Sequence, residues 1–381
     1  MDKKLLYALA LGFCCITFSC SSDENGPGTG WDDIPEESLA GPSPIVDPAE
    51  SNVNIPNVGF SVDGNVINMN MTGIYNPQTR DWLDLYGTSI NGQNIWVEID
   101  GKPRSILVEK NTSRVSRATT QVDVCFLVDN SGSMSEEADL LAAEIQSWST
   151  KLEAMFDLKL GCVGYDGGWI SGALDMDTPD KLYDFLNREG YTGTDRTYGF
   201  EDGNAETLVL AAANYETYGE CGGAALHFAD ENFAFRSGAN RLYVNFTDEP
   251  NQPGGESYKQ FSVESVASQD DWKVWQGTIH TVFSGGDYYT ETYSWRDLYY
   301  EKPWLMSDYT GGISILDAPA NFEGVTLDGL LVTGALENSN TLKFRMASDL
   351  KSGLHTVKVT ILTPDNSVKS VREFIDVDFS K

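Results

Sequence analysis

Asp129, Ser131 and Ser133 set one carboxylate and two hydroxyls at alternate positions of a short loop. The loop follows Val122-Asp123-Val124-Cys125-Phe126-Leu127-Val128, a β-branched and aromatic run ended by Asn130-Ser131-Gly132. Such a run reads as a buried strand breaking into a turn. Open α/β sheets bind ligands at the carboxyl ends of their strands, where this loop would lie. Carboxylate and hydroxyl oxygens suit Mg²⁺, or Mn²⁺ or Ca²⁺, better than thiophilic metals. Ser and Asp at a strand end also cap a following helix, so the types alone leave both roles open. A further oxygen-rich loop, Thr247-Asp248-Glu249-Pro250, follows the strand ending at Phe246 and weighs toward a cation. So few protein oxygens cannot fill six positions around an ion. Water would hold the rest, and a partner's carboxylate could displace it.

Asp129-x-Ser131-x-Ser133 resembles the Asp-x-Ser-x-Ser motif of the von Willebrand factor A family, its metal-ion-dependent adhesion site. Thr247-Asp248 resembles the family's Thr-Asp-Gly segment, with Glu249 standing where Gly is common. Tyr309-Thr310-Gly311-Gly312 resembles the Thr-Gly-Gly before the last strand of many members. The second metal loop has two candidates. Asp202-Gly203-Asn204-Ala205-Glu206 resembles the Asp-Gly-x-x-Glu version, while Thr197 and Thr194 offer the hydroxyl that other members use. The resemblance spans about 200 central residues. It implies a divalent cation on Asp129, Ser131, Ser133, Asp248 and a residue of the 194–202 loop, and a protein ligand presenting Asp or Glu.

The elements that must position these loops alternate strand and helix over 119–324. A helix is expected from Ser135 to about Phe156, with Leu140, Leu141, Ile145, Trp148, Leu152 and Met155 at helical spacing. Strands are expected at 158–164, 170–174, 241–246 and 277–282. Thr178-Pro179 opens one further helix, and another runs over about 205–215. Such alternation predicts a doubly wound, mainly parallel α/β sheet covered on both faces.

Both flanks alternate with period two instead. Phe60–Ile67 turns at Asp63-Gly64, and Asn94–Val108 turns at Asp100-Gly101, as hairpins do. Residues 341–346, 354–361 and 371–377 have the same texture. Neither flank has the roughly seven strands of an immunoglobulin-type sandwich. One discontinuous all-β sandwich from 55–118 and 325–381, with the α/β domain inserted, is therefore expected.

Lys3 and Lys4, an apolar stretch from Leu5 to Phe18 and small Ser19 read as a secretory signal over residues 1–19. Thr17-Phe18-Ser19-Cys20 resembles a lipobox, and Ser21-Ser22-Asp23-Glu24 resembles the surface-export signal of Bacteroidetes lipoproteins. Together they imply a lipid anchor on Cys20, which attaches the chain to the outer membrane and exposes it at the cell surface. Residues 20–54, rich in Gly, Pro, Ser and acids, read as a flexible linker.

The net charge is −31. A balance so acidic argues against nucleic acid as a partner. Of six cysteines only Cys125, Cys162 and Cys221 follow the lipobox, and no Cys-x-x-Cys pair is present. That leaves no disulfide framework or zinc motif. With three histidines and no Gly-x-Ser-x-Gly, His-Glu-x-x-His or phosphate-cradling glycine loop, the sequence offers little for an enzyme. Tyr and Trp crowd residues 288–304, where exposed rings would stack on a surface glycan and buried ones would pack the last helix.

Overall fold

The computed structural model describes residues 31–44, 48–112, 120–201, 203–286, 289, 293–319 and 322–380. The signal segment, Cys20 and Asp202 lie outside the described residues.

The chain opens with β1 (Val58–Asp63), β2 (Val66–Met71), a two-stranded ribbon of β3 (Tyr75–Asn76) and β4 (Asp81–Trp82), then β5 (Ile95–Ile99), β6 (Lys102–Arg104) and β7 (Leu107–Lys110). The central region holds β8 (Gln121–Asp129), α1 (Ser135–Glu153), β9 (Asp157–Asp166), β10 (Trp169–Asp177), α2 (Pro179–Leu186), β11 (Gly199–Phe200), α3 (Ala205–Ala212), α4 (Gly222–Asn232), β12 (Asn240–Thr247) and β13 (Thr278–Phe283). It continues through α5 (Leu305–Thr310), β14 (Ser314–Ile315) and α6 (Leu331–Glu337). The chain closes with β15 (Asn340–Arg345), β16 (His355–Leu362) and β17 (Lys369–Val377).

The central sheet has seven strands in the order β11-β10-β9-β8-β12-β13-β14. From β9 through β14 the neighbours run parallel, and the β9–β10 hairpin reverses direction. β8 is buried along nearly its whole length, yet it still alternates. Val122, Val124, Phe126 and Val128 face a core with α1, α2 and α6. Cys125 and Leu127 face a second core with α3 and α4. A strand covered on both sides reads as continuous apolar sequence for this reason. The α/β, Rossmann-like class read from the sequence is the one observed.

Around it, β1-β2-β15-β7 and β17-β16-β5-β6 form two antiparallel sheets. Strands from both chain ends sit side by side: Leu342 of β15 pairs with Met69 of β2, and Val359 of β16 with Val97 of β5. Both sheets feed one apolar core that includes Ile67, Met69, Phe344, Val97, Val359 and Phe374. The Asp100-Gly101 turn has both residues at positive φ, as a type I′ hairpin needs. The strand after it, however, ends at Arg104, and β7 crosses to pair with β15 in the other sheet.

Two boundaries shift. Residues 325–339 belong with the α/β core, because Leu327, Leu330, Val332 and Leu336 pack there and Trp148 Nε1 donates to Thr333 Oγ1 at 2.8 Å. The linker expected over 20–54 does not reach residue 54 as free chain. Ile34 and Val53 are buried. Arg345 donates to the Ile34 carbonyl at 2.8 Å and Ser105 Oγ to the Glu36 carbonyl at 2.7 Å, strapping this segment onto the sandwich. Among the described residues no helix is long and apolar enough to cross a membrane.

Candidate metal centre

Asp129 is the last residue of β8, fully buried, and its two carboxylate oxygens have different partners. Oδ1 accepts the Ser131 amide at 2.9 Å, and Oδ2 accepts the Thr247 hydroxyl at 2.9 Å. The first bond folds the loop back over the strand end. The second ties β8 to its neighbour β12. Ser131 Oγ and Ser133 Oγ lie 3.1 Å apart. The seryl pair and the carboxylate thus share one folded loop at the sheet's carboxyl edge.

Asp248 follows Thr247 directly. Its Oδ1 is buried and has no hydrogen-bond partner among the described residues. Its negative charge reaches Asp129 and Glu137. Burial pushes the Asp129 carboxyl well above the usual range, and the Glu220 and Asp248 charges push the same way. A buried polar atom left unpaired costs about 1–3 kcal/mol. Clustered carboxylates with an orphaned oxygen are the arrangement that a hard cation relieves. The donor set therefore fits a divalent cation held by Asp129, Ser131, Ser133 and Asp248. Among the described residues no group of three or more His, Cys, Asp or Glu is arranged to hold a metal, so any site here depends on hydroxyl donors.

The other expected ligands divide. Thr197 is buried, and its hydroxyl donates to Asn130 Oδ1, the residue between Asp129 and Ser131. It therefore steadies the loop through Asn130, whose Nδ2 also donates to Ser171 Oγ at 2.6 Å. Gly164 is what permits this approach: a Cβ there would come within 2.5 Å of Asn130 Nδ2 and 2.7 Å of the Thr197 carbonyl. Thr194 sits half-buried on the same 3₁₀ turn, Gly193–Thr197. That turn is clamped to α1, because Asp139 accepts the Gly193 amide at 3.0 Å and Arg196 Nε at 2.5 Å.

Glu137 is a further acid that the sequence reading passed over. It is buried on the first turn of α1, with Oε1 accepting Ser284 Oγ at 2.7 Å and Oε2 unpaired among the described residues. Its register gave the signal: Glu137, Leu141 and Ile145 fall four apart on one apolar stripe. Burial pushes its carboxyl up to about 7 from 4.5. The folded form then holds a proton that the unfolded form releases, so the stability tied to this proton is complete below about pH 4.5 and lost as pH rises through about 7. Glu137→Gln removes that loss. In cation-free buffer its melting temperature is expected to gain on the parent between pH 5 and pH 8; parallel curves would refute this.

The aromatic segment packs mostly on itself. Phe283 and Trp304 have ring centroids 5.1 Å apart, Trp304 and Trp295 5.3 Å, Trp295 and Tyr293 5.1 Å, and Tyr293 and Tyr289 4.8 Å. Tyr289 donates its hydroxyl to Glu249 Oε2 at 2.8 Å, joining this stack to the Asp248 loop. Tyr288 lies outside the described residues.

No protein-family model matches the chain, and no curated protein matches it. Among the solved structures that do match is the crystal structure of the ArnB paralog VWA2 from Sulfolobus acidocaldarius. The two are 10% identical over 86% of this chain and 76% of that one, with a TM-score of 0.27. So loose a superposition carries no argument for the candidate site.

Proposed function

We propose that this chain is a von Willebrand A-type binding protein. In this reading a divalent cation, Mg²⁺ or else Mn²⁺ or Ca²⁺, rests on Asp129, Ser131, Ser133 and Asp248. An Asp or Glu of a protein ligand completes the shell. Asp202 or Thr194 joins the set from the second loop, with Thr197 acting through Asn130. A lipid on Cys20 would hold the body at the outer membrane surface, making the protein an adhesin rather than an enzyme.

One observation carries the reading: the orphaned, buried Oδ1 of Asp248 beside a fully buried Asp129 and a seryl pair that shares one loop with it. Hydroxyls and carboxylates on rigid strand ends hold a hard ion while leaving part of its shell to water. Loops on a fixed sheet are also where binding surfaces usually sit. Titration calorimetry of Mg²⁺ and Mn²⁺ into the purified chain tests it. One equivalent taken up, and ligand capture lost in EDTA, are the expected results; no heat of binding with either ion would end the proposal.

A glycan-binding reading keeps one foothold. Tyr75, Trp304, Asn54, Arg80, Asp308 and Asp317 line a cleft of about 640 Å³ between the sandwich and the α/β domain. Polysaccharide binding that survives chelation and is lost in Trp304→Ala would favour it over the cation reading.

A further inference from the structure

On the hairpin that follows β9 and the loops that follow α3 and β13, at the same end of the sheet as the candidate cation site, folding leaves several large rings uncovered. Trp169 is 51% exposed, Tyr218 61% and Tyr299 49%. Large aromatics this exposed, on loops that hydrogen-bond to one another, mark an interaction surface more often than scattered apolar residues do.

The arrangement is built, not incidental. Trp169 sits at the tip of the β9–β10 hairpin, paired with Asp166, four residues beyond Tyr165, the register partner of Asp129. The Thr217 amide donates to the Gly168 carbonyl at 2.7 Å, the Tyr218 amide to the Pro253 carbonyl at 3.2 Å and the Gly254 amide to the Leu298 carbonyl at 2.9 Å. These bonds stitch four loops together at one end of the sheet. The rings of Tyr218 and Tyr299 then meet edge to face at 6.3 Å. Gly254, at φ +103°, lets Tyr218 lie against the backbone, since a Cβ there would strike the Tyr218 Cβ. The loop carrying Gly254 is the same one that leaves β12 at Asp248.

Acids are interleaved with the rings. Asp166, Glu216, Glu220, Glu256, Asp297 and Glu301 occupy the same segments, against Lys259, Arg296 and Lys302, and Glu220's charge reaches Asp129. Aromatic faces set among carboxylates attract ammonium and guanidinium groups and repel polyanions.

We propose that the Trp169–Tyr218–Tyr299 ridge is a second contact surface for the ligand of the cation site. The inference rests on the cation-binding reading, and it commits the partner to one kind: a protein segment whose single carboxylate is flanked by Lys and Arg. The carboxylate would reach the cation while the flanking cations lie on the rings.

Fluorescently labelled twelve-residue peptides with a central Asp flanked by Lys and Arg, by Ser or by Glu supply the test, titrated with the full chain in Mg²⁺. The Lys/Arg set is expected to bind about tenfold more tightly than the Ser set, and the Glu set more weakly still. Trp169→Ala and Tyr218→Ala should each cost the Lys/Arg set about two- to fivefold and leave the Ser set unchanged. Tyr218→Leu, which keeps bulk but loses the ring face, should behave like the alanine variant. Equal affinities across the sets, no binding by any set, or unaltered ridge variants would overturn the inference. Binding that needs Mg²⁺ but ignores the ridge overturns it and spares the cation reading. Binding that needs the ridge but survives EDTA keeps the surface and overturns the cation reading.

Discussion

Asp129→Asn is expected to abolish divalent-cation uptake, weakening it by on the order of 100-fold or more, since even residues that only orient metal ligands cost about 10–100-fold when replaced. The amide side chain keeps the shape and can still accept the Ser131 amide, so the loop should persist. It loses the charge that a cation would neutralise. The same substitution removes a fully buried carboxyl whose ionisation burial already opposes. Without cation, the Asp129→Asn variant should therefore melt no lower than its parent. Addition of Mg²⁺ separates them: a ligand at 100 times its Kd stabilises a folded protein by about 2.7 kcal/mol. The parent's melting temperature should rise with Mg²⁺ and the variant's should not. A matching rise in both would place the ion elsewhere.

Much of this arrangement is legible in the residue order, for identifiable reasons. Burial on both faces leaves β8 and β12 as mostly apolar runs, broken only at single positions such as Asp123 and Asn245, and each ends at its oxygen-bearing loop. The stripe Leu141-Ile145-Trp148-Leu152 announces α1. What stays hidden depends on distance across the chain. Nothing near Thr247 in sequence reveals that its hydroxyl completes Asp129, 118 residues away. Thr197 looks like a metal ligand by type, yet its hydroxyl is given to Asn130. α4 escapes notice because Gly222-Gly223 opens it; both glycines are needed, since a Cβ would meet Asn245 Oδ1 at 2.8 Å from the first and strike the Phe261 carbonyl from the second. Residues 325–337 look like the approach to a sandwich because β15 follows at once. Only the packing of Leu327 and Leu336 against the α1 side assigns them to the α/β core.

Arg236→Ala is expected to destabilise the fold by about 3–5 kcal/mol, the range for stripping the partner from a buried ion pair. Asp123 lies on β8, fully buried, and depends on Arg236 for both oxygens: Nε donates to Oδ1 at 2.8 Å and the backbone amide to Oδ2 at 2.7 Å. The same guanidinium donates to the Val122 carbonyl at 3.0 Å and the Asp157 carbonyl at 2.8 Å, binding β8, β9 and the turn before β12 into one corner. Even so paired, the Asp123 carboxyl stands above its ordinary range because burial outweighs the lowering by Arg236. Without the arginine, folding must keep Asp123 protonated, so the deficit should deepen as pH rises from 5 to 8. Urea unfolding at the two pH values measures it, and Asp123→Leu combined with Arg236→Met should recover most of the loss. Asp123 precedes Asp129 by six residues, about 20 Å along an extended strand. The alanine variant should therefore lose stability while keeping its Mg²⁺ affinity. A change in that affinity would mean that the corner and the metal loop move as one unit.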